Sequence, residues 1–536
     1  MRRSLPGLVV LAVVAVVLAA MPAALSDPRL ADLTAAVAFA GPAAGAAIAV
    51  AAGRPPLAMA ALAGTAGYVS GIAAIHGVGI PLSVAAGTGA AGVAGALLAF
   101  VGGGLDAARF LAFSLLAVLG GGAAVLAYPS VTGAEAGLGP LPRLSLPLGG
   151  GDVAVLGTAG GYHVVLAVAV IGVGVATVLL AAGPGPRWRA VGGDRERAAM
   201  ARLRPLRSEA EVLGVAALVA GSCGAVAAHA AGVVTPSAFS PDAAALPLVA
   251  ALLAGPAGPV AAAGLAVVAG IAGQVALPAA GYTGPPSAQA LATGFLALAV
   301  VASLPLRRAG RGRVAAQPIT AARSAEAWPI PAPASGSTGL HVRDLSASAG
   351  RSGPPLVVGL DLDVVPGAIH GLVGPNGSGK TTLLRAIARR PGVVLLPQHG
   401  GGFPGCTTAE TLRLAARAGG CSPAEAAILA DEWLARLGLA DRGATLCDRL
   451  AAGARRRLEL ARVLLLRPVV LLCDEPLAGL DDAERQLATA ILEAAAAAGV
   501  AVVVAEHDLL SLVSLTPTWT VLEADAPTVF TPVPAT

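Results

Sequence analysis

The stretch LVVGLDLDVVPGAIHGLVGPNGSGKTTLLRAIA, residues 356–388, decides the fold of the C-terminal part of this 536-residue chain. Apolar and polar residues alternate up to a Pro-Gly turn, and a mostly apolar run, IHGLV (369–373), then leads into a glycine-rich loop. This order predicts a half-exposed strand, a turn, a buried strand, a phosphate-binding loop and a helix. Such an arrangement is typical of an α/β domain that binds a nucleoside triphosphate.

The loop GPNGSGKT (374–381) matches the motif G-x-x-x-x-G-K-[ST]. In this motif backbone N–H groups wrap the phosphates, the lysine ammonium reaches the β- and γ-oxygens, and the next hydroxyl ligates Mg²⁺. Lys380 is the only lysine of an arginine-rich chain, and a guanidinium is too broad and planar for this point-charge role. We therefore expect the nucleotide to be bound by Gly374, Pro375, Asn376, Gly377, Ser378, Gly379, Lys380, Thr381 and Thr382.

A second apolar run, VVLLCDEP (469–476), ends in two carboxylates. Asp474 is predicted to bind Mg²⁺ together with Thr381. Glu475 is predicted to be the general base that polarises the attacking water. A phosphate loop paired with an apolar strand and Asp-Glu-Pro is a much narrower signature than the loop alone.

The composition excludes an ordinary soluble protein, because 56% of the residues are hydrophobic and only 12% are charged. We predict an all-α membrane domain over 1–305, a linker over 306–338 and a nucleotide-binding domain over 339–536. The net charge of +4 is small, and its arginines cluster at membrane-loop positions, so we do not expect nucleic-acid binding. Five cysteines without C-x-x-C spacing give no reason to expect a metal site.

Ten apolar stretches are candidate membrane spans, since a span needs roughly 20 apolar residues. The pair over 243–277 is broken by glycine and proline and could form two half-helices. Arginine placement predicts that the nucleotide-binding domain is cytoplasmic. The first span could instead be a cleaved signal peptide. The candidates are 6–25, 33–52, 57–80, 81–103, 109–128, 161–182, 209–232, 243–256, 257–277 and 286–305.

Further motifs resemble those of the ABC transporter ATPases. The resemblance implies that Gln398 in VVLLPQ contacts Mg²⁺ and senses the membrane domain, and that His507 in AVVVAEHD (501–508) contacts the γ-phosphate. AGLDD (478–482), with Asp481, resembles the loop that follows the catalytic strand in the family. LAAGA (450–454) resembles the signature LSGGQ, so that nucleotide contacts are expected from Leu450, Ala451, Ala452 and Gly453.

Three departures from the family are visible. Ala451 removes the signature serine hydroxyl that would bond a γ-phosphate. Gln398 follows Lys380 so closely that a small antiparallel sheet segment is expected to be missing. Ala349 stands where an aromatic residue would stack on adenine, at an expected cost of roughly 1–3 kcal/mol.

The membrane part resembles branched-chain amino acid importer permeases. The resemblance rests on three stretches: GGYHVVLAVAVIGVGVATVLL (160–180), GPRWRAVGGDRERAAMARL (185–203) and EVLGVAALVAGSCGAVAAHAAGVVTPSAFSP (211–241). Gly192 and Gly193 depart from the family pattern in the middle stretch. The arginine-rich loop 183–208 is expected either to dock on the ATPase near Gln398 or to act only as a positively charged cytoplasmic loop.

Together the two resemblances imply a multi-pass cell-membrane protein, a permease fused to its ATPase, that uses ATP and Mg²⁺. It would import a branched-chain amino acid or a related small solute. The expected partners are a second permease, a second ATPase subunit, an extracytoplasmic solute-binding protein and membrane lipid. An exporter of the same architecture, or a regulatory scaffold with a silent ATPase, is the alternative.

Overall fold

The computed structural model describes residues 5–149, 152–272, 328–333, 339–348, 355–398, 400–507, 515–516, 518–522 and 527–530. The chain divides into two compact units. One comprises Met1–Gly193 and Arg204–Gly310, and the other comprises Asp194–Leu203 and Arg311–Thr536. The span over 286–305, Ala349 and most of the linker lie outside the described residues.

The first unit is helical. Its longer helices are α1 Leu5–Ala19, α2 Asp27–Ala38, α3 Ala40–Ala51, α4 Met59–Ile75, α5 Ile80–Val101, α6 Ala107–Ala127, α8 Thr158–Ala181, α9 Gly185–Gly193, α11 Pro205–Ala231, α12 Pro241–Ala254 and α13 Gly258–Ile271. Between α6 and α8 lie a short helix, α7 Pro129–Thr132, and an antiparallel pair, β1 Ser145–Gly149 and β2 Asp152–Val155. Helix α10, Arg195–Met200, belongs to the second unit.

Within the described residues, six helical stretches are long and apolar enough to cross a membrane: Leu5–Ala23, Asp27–Ala51, Ile80–Val101, Ala107–Ala127, Thr158–Ala181 and Pro205–Ala231. Three shorter apolar helices, α4, α12 and α13, fall on other predicted spans. Helix α12 has 14 residues, so it is about 21 Å long against a hydrocarbon core of about 30 Å. Its length matches the half-helix alternative.

Helix α11 packs against α3, α4, α5 and α8. Small residues make this possible because they let helix backbones approach closely. A Cβ added to Gly224 of α11 would lie 2.2 Å from the carbonyl oxygen of Ala63 in α4. Helix α11 is therefore the central helix of the first unit.

The departure at Gly192 has a steric reason. A Cβ added there would lie 2.1 Å from the carbonyl of Ala52, so α9 can contact the loop after α3 only through glycine. Arg54 in the same loop forms a buried ion pair with Glu209 of α11 at 2.8 Å and donates to the carbonyl oxygen of Leu105 at 2.6 Å. These contacts tie three segments of the first unit together.

The second unit is an α/β domain. Strands β3 Leu340–Ser348 and β4 Pro355–Val364 form an antiparallel pair. A six-stranded sheet has the order β10-β9-β5-β8-β7-β6, and its strands are β5 Ile369–Val373, β6 Val393–Leu396, β7 Val470–Asp474, β8 Ala501–Glu506, β9 Trp519–Leu522 and β10 Pro527–Phe530. Strands β9, β5, β8, β7 and β6 run parallel, and β10 pairs antiparallel with β9. The main helices are α14 Lys380–Ile387, α15 Thr408–Ala418, α16 Pro423–Arg436, α17 Ala452–Leu465 and α18 Asp482–Ala497.

The predicted strand, turn, strand, loop and helix over 356–388 correspond to β4, β5 and α14. Strands β7 and β8 are buried at every position, in accord with their continuous apolar runs. Residues 388–392, between α14 and β6, form turns. The predicted fold class, helical membrane region followed by an α/β phosphate-loop domain, is confirmed.

Part of the predicted linker packs on the second unit. The ring of Trp328 stacks on Trp433 of α16, with centroids 5.4 Å apart. Trp433 Nε1 donates to the carbonyl oxygen of Pro329 at 3.2 Å, and Arg467 Nε donates to that of Ala332 at 2.9 Å. Residues 328–333 therefore have defined contacts with the α/β domain.

Candidate nucleotide-binding site

The phosphate loop connects β5 to α14. Gly377 and Gly379 have φ values of +90° and +88°, a region that other residues adopt only with strain. The loop ends at the N-terminus of α14, where free backbone N–H groups attract an anion. The hydroxyl of Ser378 is buried without a hydrogen-bond partner among the described residues. The loop thus offers unsatisfied donors for a phosphate group.

Lys380 is the first residue of α14 and is only 6% exposed. Its Nζ donates to the carbonyl oxygens of Gly374 at 2.5 Å and Pro375 at 2.9 Å. Burial lowers the pKa of Lys380, and the carboxylates of Glu475, Asp474 and Glu506 act in the opposite direction. The ammonium lies inside the loop, close to the acidic groups.

Thr381 and Asp474 come together from distant parts of the chain. The Thr381 hydroxyl donates to Asp474 Oδ2 at 2.8 Å. Burial raises the pKa of Asp474, and the hydrogen bond from Thr381 partly offsets this effect. A hydroxyl beside a carboxylate fits the hard oxygen ligands that Mg²⁺ prefers.

Glu475 directly follows β7 and has a φ of +46°, a left-handed conformation that is unusual for glutamate. Its backbone N–H donates to the carbonyl oxygen of Ala505 on β8 at 2.9 Å. Gln398, which follows β6, donates through Nε2 to Glu475 Oε2 at 2.7 Å. The structure therefore brings the predicted base and the predicted sensor residue into direct contact.

His507 follows β8 and is exposed at the same edge of the sheet. The residue before it, Glu506, is only 2% exposed and accepts a hydrogen bond from the backbone of Leu477 at 3.3 Å. Burial raises the pKa of the Glu506 carboxyl. The sequence motifs give Glu506 no role. An acidic residue at the end of an otherwise apolar strand is the signal that could have identified it.

The signature residues lie apart from the phosphate loop. Ala451 is the N-cap of α17 and provides no side-chain hydrogen bond. A Cβ added to Gly453 would lie 1.6 Å from Glu484 Oε1, so a larger residue at this position would have to displace the Glu484 carboxylate. Asp481 caps α18 by accepting from the backbone of Glu484 at 2.8 Å. Among the described residues, no hydrogen bond joins Leu450–Gly453 to the loop over 374–381 of the same chain.

Fold and site together define a phosphate-loop ATPase domain that follows a region of apolar helices. A family model described as "ABC transporter" matches residues 357–391 and 388–478. The daunorubicin resistance ATP-binding protein DrrA3 of Streptomyces coeruleorubidus is 38% identical over 23% of this chain and 46% of that protein. The hemin import ATP-binding protein HmuV of Roseobacter denitrificans is 36% identical over 32% of this chain and 76% of that protein.

An export protein is similar to the same extent. The cytochrome c biogenesis ATP-binding export protein CcmA of Bordetella parapertussis is 39% identical over 28% of this chain and 75% of that protein. The chain thus spans less than half of DrrA3 and about three quarters of the other two relatives. This chain belongs to the ABC transporter family. It carries the family's ATP-binding domain, whose hydrolysis of ATP is coupled to transport.

Proposed function

We propose that the chain is a permease fused to its ATPase and that it imports branched-chain amino acids or a related small solute. It lies in the cell membrane with the ATPase in the cytoplasm. A second permease, a second ATPase and an extracytoplasmic solute-binding protein complete the transporter. The fusion is supported by α10. In the sequence this helix lies between the apolar helices α8 and α11, but it belongs to the second unit, which contains the ATPase domain and is called the ATPase unit below.

The contacts of α10 explain how such a fusion would be coupled. Asp194 caps the helix and pairs with Arg197 at 3.3 Å. Arg197 Nη1 donates to the carbonyl oxygen of Gly402 at 2.6 Å, four residues beyond Gln398. The backbone N–H of Gly402 donates to Glu459 Oε2 on α17 at 2.7 Å. A movement of α10 would therefore displace Gly402, in the segment after Gln398, and through it Glu459 on α17, the helix that begins in the signature sequence.

The charge of Glu459 supports this connection. Burial raises the pKa of this carboxyl, but Arg462, Arg197 and the Gly402 N–H outweigh that effect and lower the pKa to about 2. Glu459 is therefore ionised at neutral pH. An ionised carboxylate accepts stronger hydrogen bonds than a neutral one, which favours a stiff link.

In the proposed reaction, the phosphate loop and Lys380 bind the phosphates of ATP. Thr381, Asp474 and Gln398 supply oxygen ligands for Mg²⁺, which neutralises charge on the phosphates. Glu475 accepts a proton from the attacking water, and His507 contacts the γ-phosphate. Asp481 and the signature residues Leu450–Gly453 face the nucleotide of the second ATPase.

The coupling is tested by Arg197→Ala in the complete transporter. This change removes the hydrogen bond to Gly402 and leaves the nucleotide site intact. We expect ATP hydrolysis within about threefold of wild type and a loss of solute transport of about tenfold or more, since the variant removes the interactions of Arg197 with Asp194, Gly402 and Glu459 and changes no predicted nucleotide ligand. Glu196→Ala, an exposed position on the same helix, is the matched control. Equal transport by the two variants would remove the support that α10 gives to the fusion.

The direction and the solute are tested in vesicles that contain all partner subunits. An importer accumulates radiolabelled leucine only when ATP is on the ATPase side and the solute-binding protein is on the other side. The names of DrrA3 and CcmA include resistance and export, so an exporter is the alternative to be tested. ATP-driven movement of solute away from the ATPase side would identify an exporter. Complete absence of ATP turnover would instead favour a regulatory scaffold.

A further inference from the structure

The guanidinium of Arg456 contacts two loops of the nucleotide site. Arg456 lies on α17 and is 8% exposed. Its Nη1 donates to the carbonyl oxygen of Pro397 at 2.7 Å and contacts that of Gln398 at 3.4 Å. Its Nη2 and Nε donate to three consecutive carbonyls, those of Asp474 at 3.1 Å, Glu475 at 2.7 Å and Pro476 at 3.0 Å.

These carbonyls belong to the last residue of β7, Asp474, and to the backbone that directly follows β6 or β7. These two strands are parallel neighbours, so their carboxyl ends lie side by side. Without Arg456, five backbone carbonyls at this edge would lose a charged donor, and buried acceptors are costly to leave unpaired. The guanidinium is suited to the task because it is planar, remains charged and donates in several directions.

The backbone held by Arg456 is strained. Glu475 has a left-handed φ of +46°, and such a conformation persists only where surrounding contacts enforce it. The carbonyl of Glu475 accepts one of the two shortest of these hydrogen bonds. The side chain of Glu475 meanwhile accepts from Gln398, whose own carbonyl also contacts Arg456.

We propose that Arg456 is a positioning residue for ATP hydrolysis. Its hydrogen bonds to the backbone at the ends of β6 and β7 hold Glu475 and Gln398 in one fixed arrangement. The proposal rests on the proposed role of Glu475 as the general base. Arg456 lies three positions after Gly453 on the same helix. A displacement of the signature end of α17 therefore moves the catalytic glutamate and the sensor glutamine together.

The test compares Arg456→Met with Arg457→Met in the full-length chain with its partner subunits. Arg457 is the matched control, because it is adjacent, 2% exposed and donates to the carbonyl oxygen of Leu437 at 2.7 Å, away from the two loops. Each variant is measured for kcat and KM of ATP hydrolysis, for affinity toward a fluorescent ATP analogue and for thermal stability. We expect Arg456→Met to lower kcat about tenfold or more, with KM and nucleotide affinity within about threefold.

Arg457→Met should lower thermal stability to a similar degree but leave kcat within about threefold of wild type. Arg456→Lys keeps the charge and restores one or two of the bonds, so its kcat should lie between wild type and Arg456→Met. If Arg456→Met does not fold, Arg456→Lys alone must still show the fall in kcat at constant KM. Parallel losses in the Arg456 and Arg457 variants, or a change confined to KM, would overturn the proposal.

Glu475→Gln in the same preparation separates this proposal from the one it rests on. Turnover that survives Glu475→Gln would refute the base assignment. The difference in kcat between Arg456→Met and Arg457→Met would still show whether the hydrogen bonds of Arg456 to the two loops affect turnover.

Discussion

Glu475 combines three features that suit a catalytic base. Its backbone is left-handed, its N–H is fixed by Ala505, and its carboxylate accepts a hydrogen bond from Gln398. A base placed so firmly needs little reorganisation before it accepts a proton. The proposed role of Glu475 as general base can therefore be tested by Glu475→Gln, which replaces one carboxylate oxygen by an amide nitrogen.

Replacement of Glu475 by glutamine should preserve ATP binding and reduce turnover by about a hundredfold or more, the range expected for loss of a general base. Nucleotide affinity and single-turnover hydrolysis would be measured on the purified complex. Glu493→Gln, at an exposed position of α18, is the control for the chemical change itself. Hydrolysis close to the wild-type rate would contradict the assignment.

The strands of the ATPase unit carry a second testable group, His370 on β5. His370 Nε2 is hydrogen-bonded to the Thr520 hydroxyl of β9 at 2.8 Å, and burial lowers the pKa of His370 to about 4. In the unfolded chain this histidine titrates near pH 6.5. The unfolded state therefore binds more protons between these values, and stability is present above about pH 6.5 and is lost as the pH falls toward 4.

The contribution is at most on the order of 3 kcal/mol. We expect the thermal midpoint of the ATPase unit to fall by several degrees between pH 7 and pH 5. His370→Gln should be less stable at pH 7 and should show a smaller fall. Intrinsic tryptophan fluorescence during heating provides the measurement. An unchanged pH dependence in the variant would show that other groups control acid sensitivity.

Elements differ in how far their sequence predicts them. Strands β7 and β8 were predictable because a run of apolar residues leaves few alternatives to a buried parallel strand. Strand β5, which contains His370, was predictable from its position directly before the phosphate loop. The contact between α9 and the loop after α3 could not be predicted, because Gly192 departs from the family pattern at this position. Gly192 is close to the backbone of Ala52, which lies about 140 positions away along the chain. Only the folded chain reveals that the glycine is required.

The same reasoning applies to the nucleotide site. Local motifs identified Lys380, Asp474 and Glu475, because Lys380 ends the phosphate loop and the two carboxylates lie at the end of a strand that the sequence predicts. They gave no reason to select Arg456, whose partners lie 18 to 59 positions away along the chain. A buried arginine near a signature sequence looks like any other polar residue of an amphipathic helix until its acceptors are known.

At the scale of the whole transporter, the two nucleotide sites should be unequal. The phosphate-loop side of this chain has Lys380, Thr381, Asp474, Glu475 and His507, whereas its signature side has Ala451 in place of serine. Losing one charge-assisted hydrogen bond costs roughly 1.5–3 kcal/mol, on the order of tenfold to a hundredfold in rate. A complex with an intact second ATPase would therefore have one strong and one weak site.

Lys380→Ala should remove nearly all ATP hydrolysis by the complex, while the equivalent change in the second ATPase should cost little. Ala451→Ser combined with Ala452→Gly should raise turnover only at the weak site. Steady-state hydrolysis by complexes that carry one altered lysine at a time is the measurement. Equal losses from the two lysine changes would refute the asymmetry and would indicate that LAAGA is a working signature.

The burial of Lys380 has a practical consequence for chemical labelling. Its amine is the only lysine amine in the sequence, and in the folded chain it is 6% exposed and bonded to two carbonyls. An acylating reagent added to native protein should therefore modify this side chain slowly, and it should modify it completely once the phosphate loop opens. Mass spectrometry of a single acylated peptide would then follow the opening of the loop directly, without any engineered reporter group.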